Sequence, residues 1–246
     1  MAFTLYGPIF VSREEESQMS GQMIRFTANG GNTGGYLATP ASGKGPAVIV
    51  IQEWWGLVPH IKSVCDRFAS AGFVALAPDL YHGQSTTSPD EAGRLMMALR
   101  IDEAEKDIQG AVRYLLGNMA TASKKVGTVG FCMGGQLSLY AASKNTNIGA
   151  CVDFYGIHPD VKPDFRQLYA PVLGFFGQQD ASITPDAVKK LEQQIKAAGK
   201  KVDFTILAGV GHAFFNDSRP EVYHREIAER CWKIMLDFFK QNLKSA

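Results

Sequence analysis

Residues 125–142, KVGTVGFCMGGQLSLYAA, combine a buried strand, a tight turn and a helix in one short stretch. The run before Cys132 predicts a strand covered on both faces, because it is largely apolar, and an apolar helix follows it. Between them, residues 130–134, GFCMG, have the outline glycine, any residue, nucleophile, any residue, glycine. Flanking glycines permit the sharp turn that such an outline needs. The stretch therefore predicts a strand–turn–helix unit that lifts Cys132 to the top of a sheet.

The rest of the chain alternates strand-like and helix-like segments. Eight segments predict strands: residues 22–28, 34–40, 46–52, 73–78, 125–131, 149–156, 171–177 and 202–207. The first two suggest a hairpin around the Gly- and Asn-rich residues 29–35. Six segments predict helices: residues 60–72, 89–99, 101–119, 136–144, 185–199 and 220–243. This order predicts an α/β fold with an about eight-stranded, mostly parallel sheet flanked by helices on both faces.

The bulk composition is that of an ordinary globular protein, with 246 residues, 46% hydrophobic and 20% charged. This length suits one α/β domain, which we expect to span residues 21–246. Residues 1–20 are expected to form an N-terminal arm of the mature protein, because they lack the basic region and cleavage site of a signal peptide. The apolar patch of the arm would suit packing on the domain or on a second copy, which leaves a homodimer open.

Cysteine usage and charge exclude several classes of protein. Cys65, Cys132, Cys151 and Cys231 are widely spaced without a CxxC pair, which argues against a disulfide framework and against a metal site. Free thiols of this kind favour a cytoplasmic location. A net charge of +1 without Lys or Arg clusters, and the lack of a long apolar run, predict neither nucleic acid nor membrane as a partner.

Three residues that could carry chemistry each follow a separate predicted strand. Cys132 follows residues 125–131, Asp180 follows residues 171–177, and His212 follows residues 202–207. Taken singly, each has a structural explanation: a buried cysteine, a capping aspartate and a surface histidine. Their order of nucleophile, acid and histidine is that of α/β hydrolases, and it predicts a catalytic triad. In this triad His212 takes the thiol proton while Asp180 orients and stabilises the imidazole ring.

The end of the strand at residues 46–52 contributes further candidates. The backbone N–H groups of Trp54 and Met133 are predicted to form an oxyanion hole for the acyl-transfer intermediate. Glu53 could control the thiol, because a nearby carboxylate disfavours the thiolate or accepts the thiol proton. A glutamate that only hydrogen-bonds the loop backbone is the equal alternative.

Six motifs together resemble the dienelactone hydrolase family, also called carboxymethylenebutenolidases. They are QEWWGL (52–57), APDLYHG (77–83), VGFCMGG (129–135), DFYG (153–156), GQQDASI (177–183) and GVGHAFFN (209–216). The resemblance covers the chain from about residue 22 onward. It implies an α/β-hydrolase fold, the Cys132–His212–Asp180 triad, no cofactor, and hydrolysis of the enol-lactone ring of dienelactone. It also implies that Glu53 keeps the thiol unreactive until a substrate arrives.

The sequence departs from this family where well-known members bind a substrate carboxylate with two arginines. Residues 81–84, YHGQ, and Asn216 stand at those places, and Arg94 and Arg100 are the arginines that follow the first of them. An aromatic, largely neutral pocket is expected instead. The predicted pocket residues are Tyr81, Phe131, Tyr155, Phe214 and Asn216, with Trp54, His82 and Phe215 nearby. Core packing is the alternative for each aromatic side chain.

These features predict a cysteine-dependent hydrolase of activated carboxylic esters or lactones that works through a thioester acyl-enzyme. The expected partner is a small-molecule ester or lactone. One alternative is an enzyme of the same fold and nucleophile that acts on another ester class, such as phosphotriesters. Another is a thiol or redox protein that reacts at Cys132 without turnover.

Overall fold

A computed structural model describes residues 21–156 and 158–244, so the predicted arm at residues 1–20 lies outside the described residues. One eight-stranded sheet has the order β1-β2-β4-β3-β5-β6-β7-β8. The strands are β1 (Gln22–Ala28), β2 (Gly31–Ala38), β3 (Ala47–Ile51), β4 (Val74–Pro78), β5 (Val126–Phe131), β6 (Ile148–Phe154), β7 (Val172–Gly177) and β8 (Val202–Leu207). Strands β3 to β8 are parallel, and β2 pairs antiparallel with both β1 and β4. The predicted fold class is confirmed.

The N-terminal hairpin has a tighter turn than the sequence suggested. Strand β2 begins at Gly31, and Ala28 pairs with Gly31 across the turn. Asn29 and Gly30 form the two-residue connection with φ of 49° and 75°. An Asn-Gly pair suits this connection, because a type I′ turn needs positive φ at both central positions. The predicted turn over residues 29–35 was therefore too long.

Six α-helices in the described part of the chain connect the strands and cover the sheet. They are α1 (Pro59–Ser70), α2 (Pro89–Ala98), α3 (Ile101–Gly117), α4 (Met133–Lys144), α5 (Pro185–Ala197) and α6 (Arg225–Asn242). Helices α1 and α6 bury apolar residues in one core cluster, while α3, α4 and α5 bury theirs in a second cluster. The sheet is thus covered on both faces, which explains why β3 to β7 are almost entirely buried and largely apolar.

Helix α6 begins later than predicted. The Pro-Glu pair at residues 220–221 suggested a first turn, but the helix starts at Arg225, with His224 as its N-cap. The N–H groups of Val222 and Tyr223 both donate to Arg219 O, and His224 N–H donates to Phe214 O. These bonds form a separate turn that packs the segment against the loop containing His212.

The sheet register brings the ends of three strands side by side. Ile51 pairs with Gly130, and Phe131 pairs with Phe154. Glu53, Cys132 and Tyr155 follow these positions on β3, β5 and β6. Because the carboxyl ends of parallel strands share one edge, this edge is where an active site is expected.

None of the described helices combines the length and the apolar character that crossing a bilayer demands.

Candidate active site

Cys132 lies at the turn between β5 and α4 in a strained backbone conformation. Its φ of 55° and ψ of −126° are unusual for a residue with a side chain, and its N–H donates to Phe154 O at 3.0 Å. The turn needs Gly130, because a Cβ there would stand 1.8 Å from Gly134 O. The thiol is partly exposed, unlike those of the other three cysteines, which are buried. Its place at the first turn of α4 lets the helix dipole stabilise a thiolate.

Asp180 and His212 form a close pair at the same edge of the sheet. The Nδ1 atom of His212 lies 2.7 Å from Asp180 Oδ2, and the carboxylate is almost fully buried. The other oxygen, Asp180 Oδ1, accepts from the backbone N–H groups of Ser182 and Ile183 at 2.8 and 2.9 Å. With both oxygens engaged, the carboxylate holds the imidazole in one orientation and leaves Nε2 for another partner.

The pKa of His212 reflects this environment. Burial of the ring lowers the pKa, but the hydrogen bond to Asp180 and the proximity of the Cys132 thiol outweigh it and raise the pKa to about 10. The structure thus brings together all three residues of the predicted triad.

Glu53 is buried at the same edge of the sheet as Cys132 and His212. Its Oε2 accepts a hydrogen bond from Asn216 Nδ2 at 2.7 Å, and its Oε1 accepts a longer one from the Tyr155 hydroxyl at 3.4 Å. Only 1% of the residue is exposed. Both described hydrogen bonds of the carboxylate therefore go to side chains, and neither goes to the loop backbone.

Asn216 is held so that its amide nitrogen faces Glu53. Its Oδ1 accepts from the N–H of Ser218 at 3.1 Å and from the Ser218 hydroxyl at 2.6 Å. Because the oxygen side of the amide is occupied, the NH₂ side is left for the carboxylate. The sequence suggested Asn216 as a pocket residue, and its polar atoms are engaged with these two partners.

The hydroxyls of Tyr81 and Tyr155 both lie close enough to Cys132 for its charge to raise their pKa values. Burial, and then the negative charge of Cys132, raise the pKa of Tyr81, whose hydroxyl donates to Met133 Sδ at 3.4 Å. Burial, followed by the charges of Glu53 and Cys132, raises the pKa of Tyr155 well above its ordinary value. Both phenols therefore stay protonated near the sulfur. The Tyr155 ring also stands edge-on to His212, with centroids 5.1 Å apart.

Three predicted pocket aromatics lie in the core instead. Phe131, Phe214 and Phe215 have no exposed surface, and Phe131 stacks on Phe154 and Phe215 with centroids 5.0 and 5.2 Å apart. Their rings close the space under the strand ends and support the loops that carry Cys132 and His212. The physical reason is that these loops fold directly onto the α6 side of the sheet, where the main apolar cluster lies.

His82, Arg94 and Arg100 do not reach the thiol. His82 Nε2 lies 3.1 Å from the buried Asp107, on the α3 side of the loop. Arg94 pairs with Glu91, and Arg100 pairs with Glu103 at 3.2 Å. Both arginine side chains are more than two-thirds exposed, so neither supplies a buried cation to the site.

The two predicted oxyanion-hole residues start adjacent segments at the sheet edge. Met133 is the first residue of α4 and almost fully buried, and Trp54 begins the half-buried turn after β3. The parallel pairing of β3 with β5 places these two segments next to each other. Both residues therefore lie at the same edge of the sheet as Cys132.

One half-buried pair near the site was missed from the sequence. His60 Nδ1 lies 2.9 Å from Asp217 Oδ1, and it ties α1 to the loop that contains His212 and Asn216. No sequence signal marked this pair, because the two residues are 157 positions apart. Within residues 21–156 and 158–244, no cluster of three or more His, Cys, Asp or Glu side chains is arranged to hold a metal ion.

A sheet of this order, with a thiol at the strand–helix turn and an acid–histidine pair on the next strands, has the fold of α/β hydrolases. The sequence model of the dienelactone hydrolase family matches residues 33–243. The chain belongs to the dienelactone hydrolase family and is a hydrolase of that family.

Relatives and solved structures agree with this membership. The chain is 40% identical to "Protein usf" of Aquifex pyrophilus over 91% of its own length and 99% of the relative. It is 38% identical to a "Putative carboxymethylenebutenolidase" of Aquifex aeolicus, over 91% of the chain and 100% of the relative. A crystal structure described as a "Putative Dienelactone Hydrolase" from Klebsiella pneumoniae superposes with a TM-score of 0.83 and 29% identity. It covers 92% of this chain and 100% of that one.

Proposed function

We propose that the protein hydrolyses activated carboxylic esters or lactones through a thioester formed on Cys132. The observation that carries this proposal is the position of His212, which is bonded to Asp180 on one nitrogen and is close to the Cys132 thiol. A cysteine that served only for binding would not need an oriented base. The simplest test is the release of p-nitrophenol from p-nitrophenyl acetate, with dienelactone tested alongside.

In the first step, the Cys132 thiolate attacks the carbonyl carbon of the ester. His212, which has taken the thiol proton, stands beside the sulfur as imidazolium, and Asp180 stabilises that positive charge. The new C–S bond turns the carbonyl oxygen into an oxyanion. We assign the N–H groups of Trp54 and Met133 to this oxygen. Collapse of the intermediate expels the alcohol, which receives the proton from His212.

In the second step, water resolves the thioester. Neutral His212 removes a proton from the water as it attacks the acyl carbon, and the C–S bond breaks to release the acid and the Cys132 thiolate. The intermediate of the first step can expel either the Cys132 thiolate or the leaving group of the substrate. Because a thiolate is a good leaving group, the intermediate from a substrate with a poor leaving group would revert to the starting ester. Enol esters, lactones of enols and phenyl esters therefore suit this site better than amides.

Glu53 is proposed to control the protonation state of the thiol. Its carboxylate and the Cys132 sulfur both influence the Tyr155 hydroxyl, so the two groups are close neighbours of the same side chain. The bonds from Asn216 and Tyr155 hold the carboxylate in place. A substrate that displaced these bonds would move the negative charge of Glu53 relative to the sulfur and so change how readily the thiol proton passes to His212.

Asp180→Asn is expected to lower kcat/KM for p-nitrophenyl acetate by between about tenfold and about 10⁴-fold at neutral pH. The amide cannot stabilise imidazolium, and it can turn its NH₂ group to Nδ1 and thereby impose the wrong tautomer. The measurement is a pH–rate profile of both proteins. The matched control is Asp186→Asn, an exposed aspartate in the first turn of α5. Equal losses in the two variants would contradict the role of Asp180.

Asn216→Asp is expected to destabilise the fold by about 3 kcal/mol at pH 8, because it places two carboxylates together in a buried site. One of them would hold a proton in the folded state, so its folded pKa would lie above its unfolded pKa. The added destabilisation should therefore be small at low pH and grow as the pH rises. Thermal unfolding at pH 5 and pH 8 measures this difference. A loss of stability that is the same at both pH values would contradict the contact with Glu53.

The same assays distinguish ester hydrolysis from two alternative functions, which are phosphotriester hydrolysis and a thiol that reacts without turnover. A solved structure described as a dienelactone hydrolase-like promiscuous phosphotriesterase from metagenomic libraries has a TM-score of 0.81 and 22% identity, which shows the fold alone. Hydrolysis of paraoxon faster than of p-nitrophenyl acetate would favour phosphotriesters. A single burst of p-nitrophenol without turnover would favour a thiol protein that reacts but does not complete a catalytic cycle.

A further inference from the structure

A cleft of about 410 Å³ opens next to the proposed catalytic residues. Three loops form its walls: the segment that links β3 to α1, the segment before α2, and the segment after His212. We call it the Trp55 cleft, lined by Trp55, Val58, Pro59, Thr87 and Arg219 together with neighbouring side chains of these loops. Its volume lies within the range of small-molecule sites.

The Trp55 cleft adjoins the reacting groups through two of its wall residues. Asn216 lines the cleft and donates to Glu53 from its other side. His60 also lines it, and its ring meets Phe131, the residue before Cys132, with centroids 6.3 Å apart. A group in the cleft would thus lie one side chain away from the thiol loop and from Glu53.

Several polar groups of the wall already have hydrogen-bond or ion-pair partners. Ser218 donates to Asn216, and Arg219 pairs with Glu221 at 2.9 Å while its guanidinium lies 5.7 Å from the centre of the Trp55 ring. His60 Nε2 has no hydrogen-bond partner among the described residues, but it is fully buried below the surface of the cleft. The surface offered to a ligand is therefore mainly the ring of Trp55 and the carbons of Val58, Pro59 and Thr87, and the charge of Arg219 in this wall is paired with Glu221.

We propose that the Trp55 cleft binds the acyl group of the ester and selects for uncharged, apolar acyl chains or rings. This inference rests on the proposed ester hydrolysis. The acyl side is assigned because neither His212 nor Tyr155 lines the cleft. The leaving group must stay beside His212 to receive its proton, so the acyl group is the part that points away into the cleft.

Filling the cleft tests the assignment. Thr87 is exposed on the loop before α2, so Thr87→Phe adds a ring in the cleft without disturbing the core. The ratio of kcat/KM for p-nitrophenyl hexanoate to kcat/KM for p-nitrophenyl acetate is expected to fall about tenfold or more, mainly through KM. The control is Thr205→Phe, an exposed threonine on the edge strand β8, which should keep the wild-type ratio.

Measuring binding in a variant that cannot turn over the ester tests the cleft independently of the proposed reaction. In a Cys132→Ala background, the dissociation constant of p-nitrophenyl hexanoate is measured by quenching of tryptophan emission. Thr87→Phe is expected to weaken this binding, and Thr205→Phe is not. If the wild type hydrolyses neither ester but Thr87→Phe still weakens binding, the proposed reaction fails and the subsite stands. If neither the ratio nor the dissociation constant changes in Thr87→Phe, the assignment of the cleft is wrong.

Discussion

Cys132→Ala is expected to lower kcat/KM for p-nitrophenyl acetate by at least about 10⁴-fold, because the covalent route is lost with the sulfur. The fold should survive, since the thiol is only partly buried and alanine is smaller. The strained turn depends on Gly130 and on the bond from Cys132 N–H to Phe154 O, both of which the variant retains. The measurement is initial-rate kinetics together with circular dichroism of both proteins.

The matched control is Cys231→Ala, which removes a buried thiol on α6 away from the reacting groups. It should keep the wild-type rate, although it loses some stability from the small cavity it creates. A Cys132→Ala protein that retained most of its esterase activity would contradict the assignment of the nucleophile. Loss of activity in both variants would point instead to damaged folding.

His212→Gln is expected to lower kcat/KM for the same ester by about 10³-fold, because the base for thiol activation and for water activation is removed. The pKa of His212, raised to about 10, indicates a charged ring beside the sulfur at neutral pH. Without that charge, less thiolate should form at Cys132. The rate of alkylation by iodoacetamide at pH 7 should therefore fall together with the esterase rate.

The control for this variant is His224→Gln, since His224 is exposed and serves as the N-cap of α6. It should change neither the esterase rate nor the alkylation rate of Cys132. If His212→Gln reduced esterase activity but left alkylation at the wild-type rate, His212 would act only on water. The thiolate–imidazolium pair would then be wrong.

The fold could be predicted from the sequence because its signals are local. Apolar runs such as residues 46–52 and 125–131 are covered on both faces, and each is followed by a polar or glycine-rich turn. The boundary of α6 could not be predicted, because its late start depends on the bond from His224 N–H to Phe214 O, a contact between two loops. Residues 220–224 carry a helix-like start signal that this tertiary contact overrides.

Some residues of the candidate site could also be predicted from the sequence, and others could not. Cys132, Asp180 and His212 could be predicted to lie together because each stands in the loop after a parallel strand, and parallel strands end at one edge. The partner of Glu53 could not be found, because the bond from Asn216 joins residues 163 positions apart. Phe131 and Phe214 were expected in the pocket because they flank site residues, but the backbone directs both rings into the core.

The most direct test of the central claim is to isolate the acyl-enzyme. The wild-type protein is mixed with p-nitrophenyl acetate, quenched in acid within the first turnover, digested and analysed by mass spectrometry. A thioester at Cys132 predicts one added acetyl group on the peptide that contains this residue, lost again when quenching is delayed until the ester is consumed. Turnover without acetylation of that peptide, or with acetylation at another residue, would contradict the account.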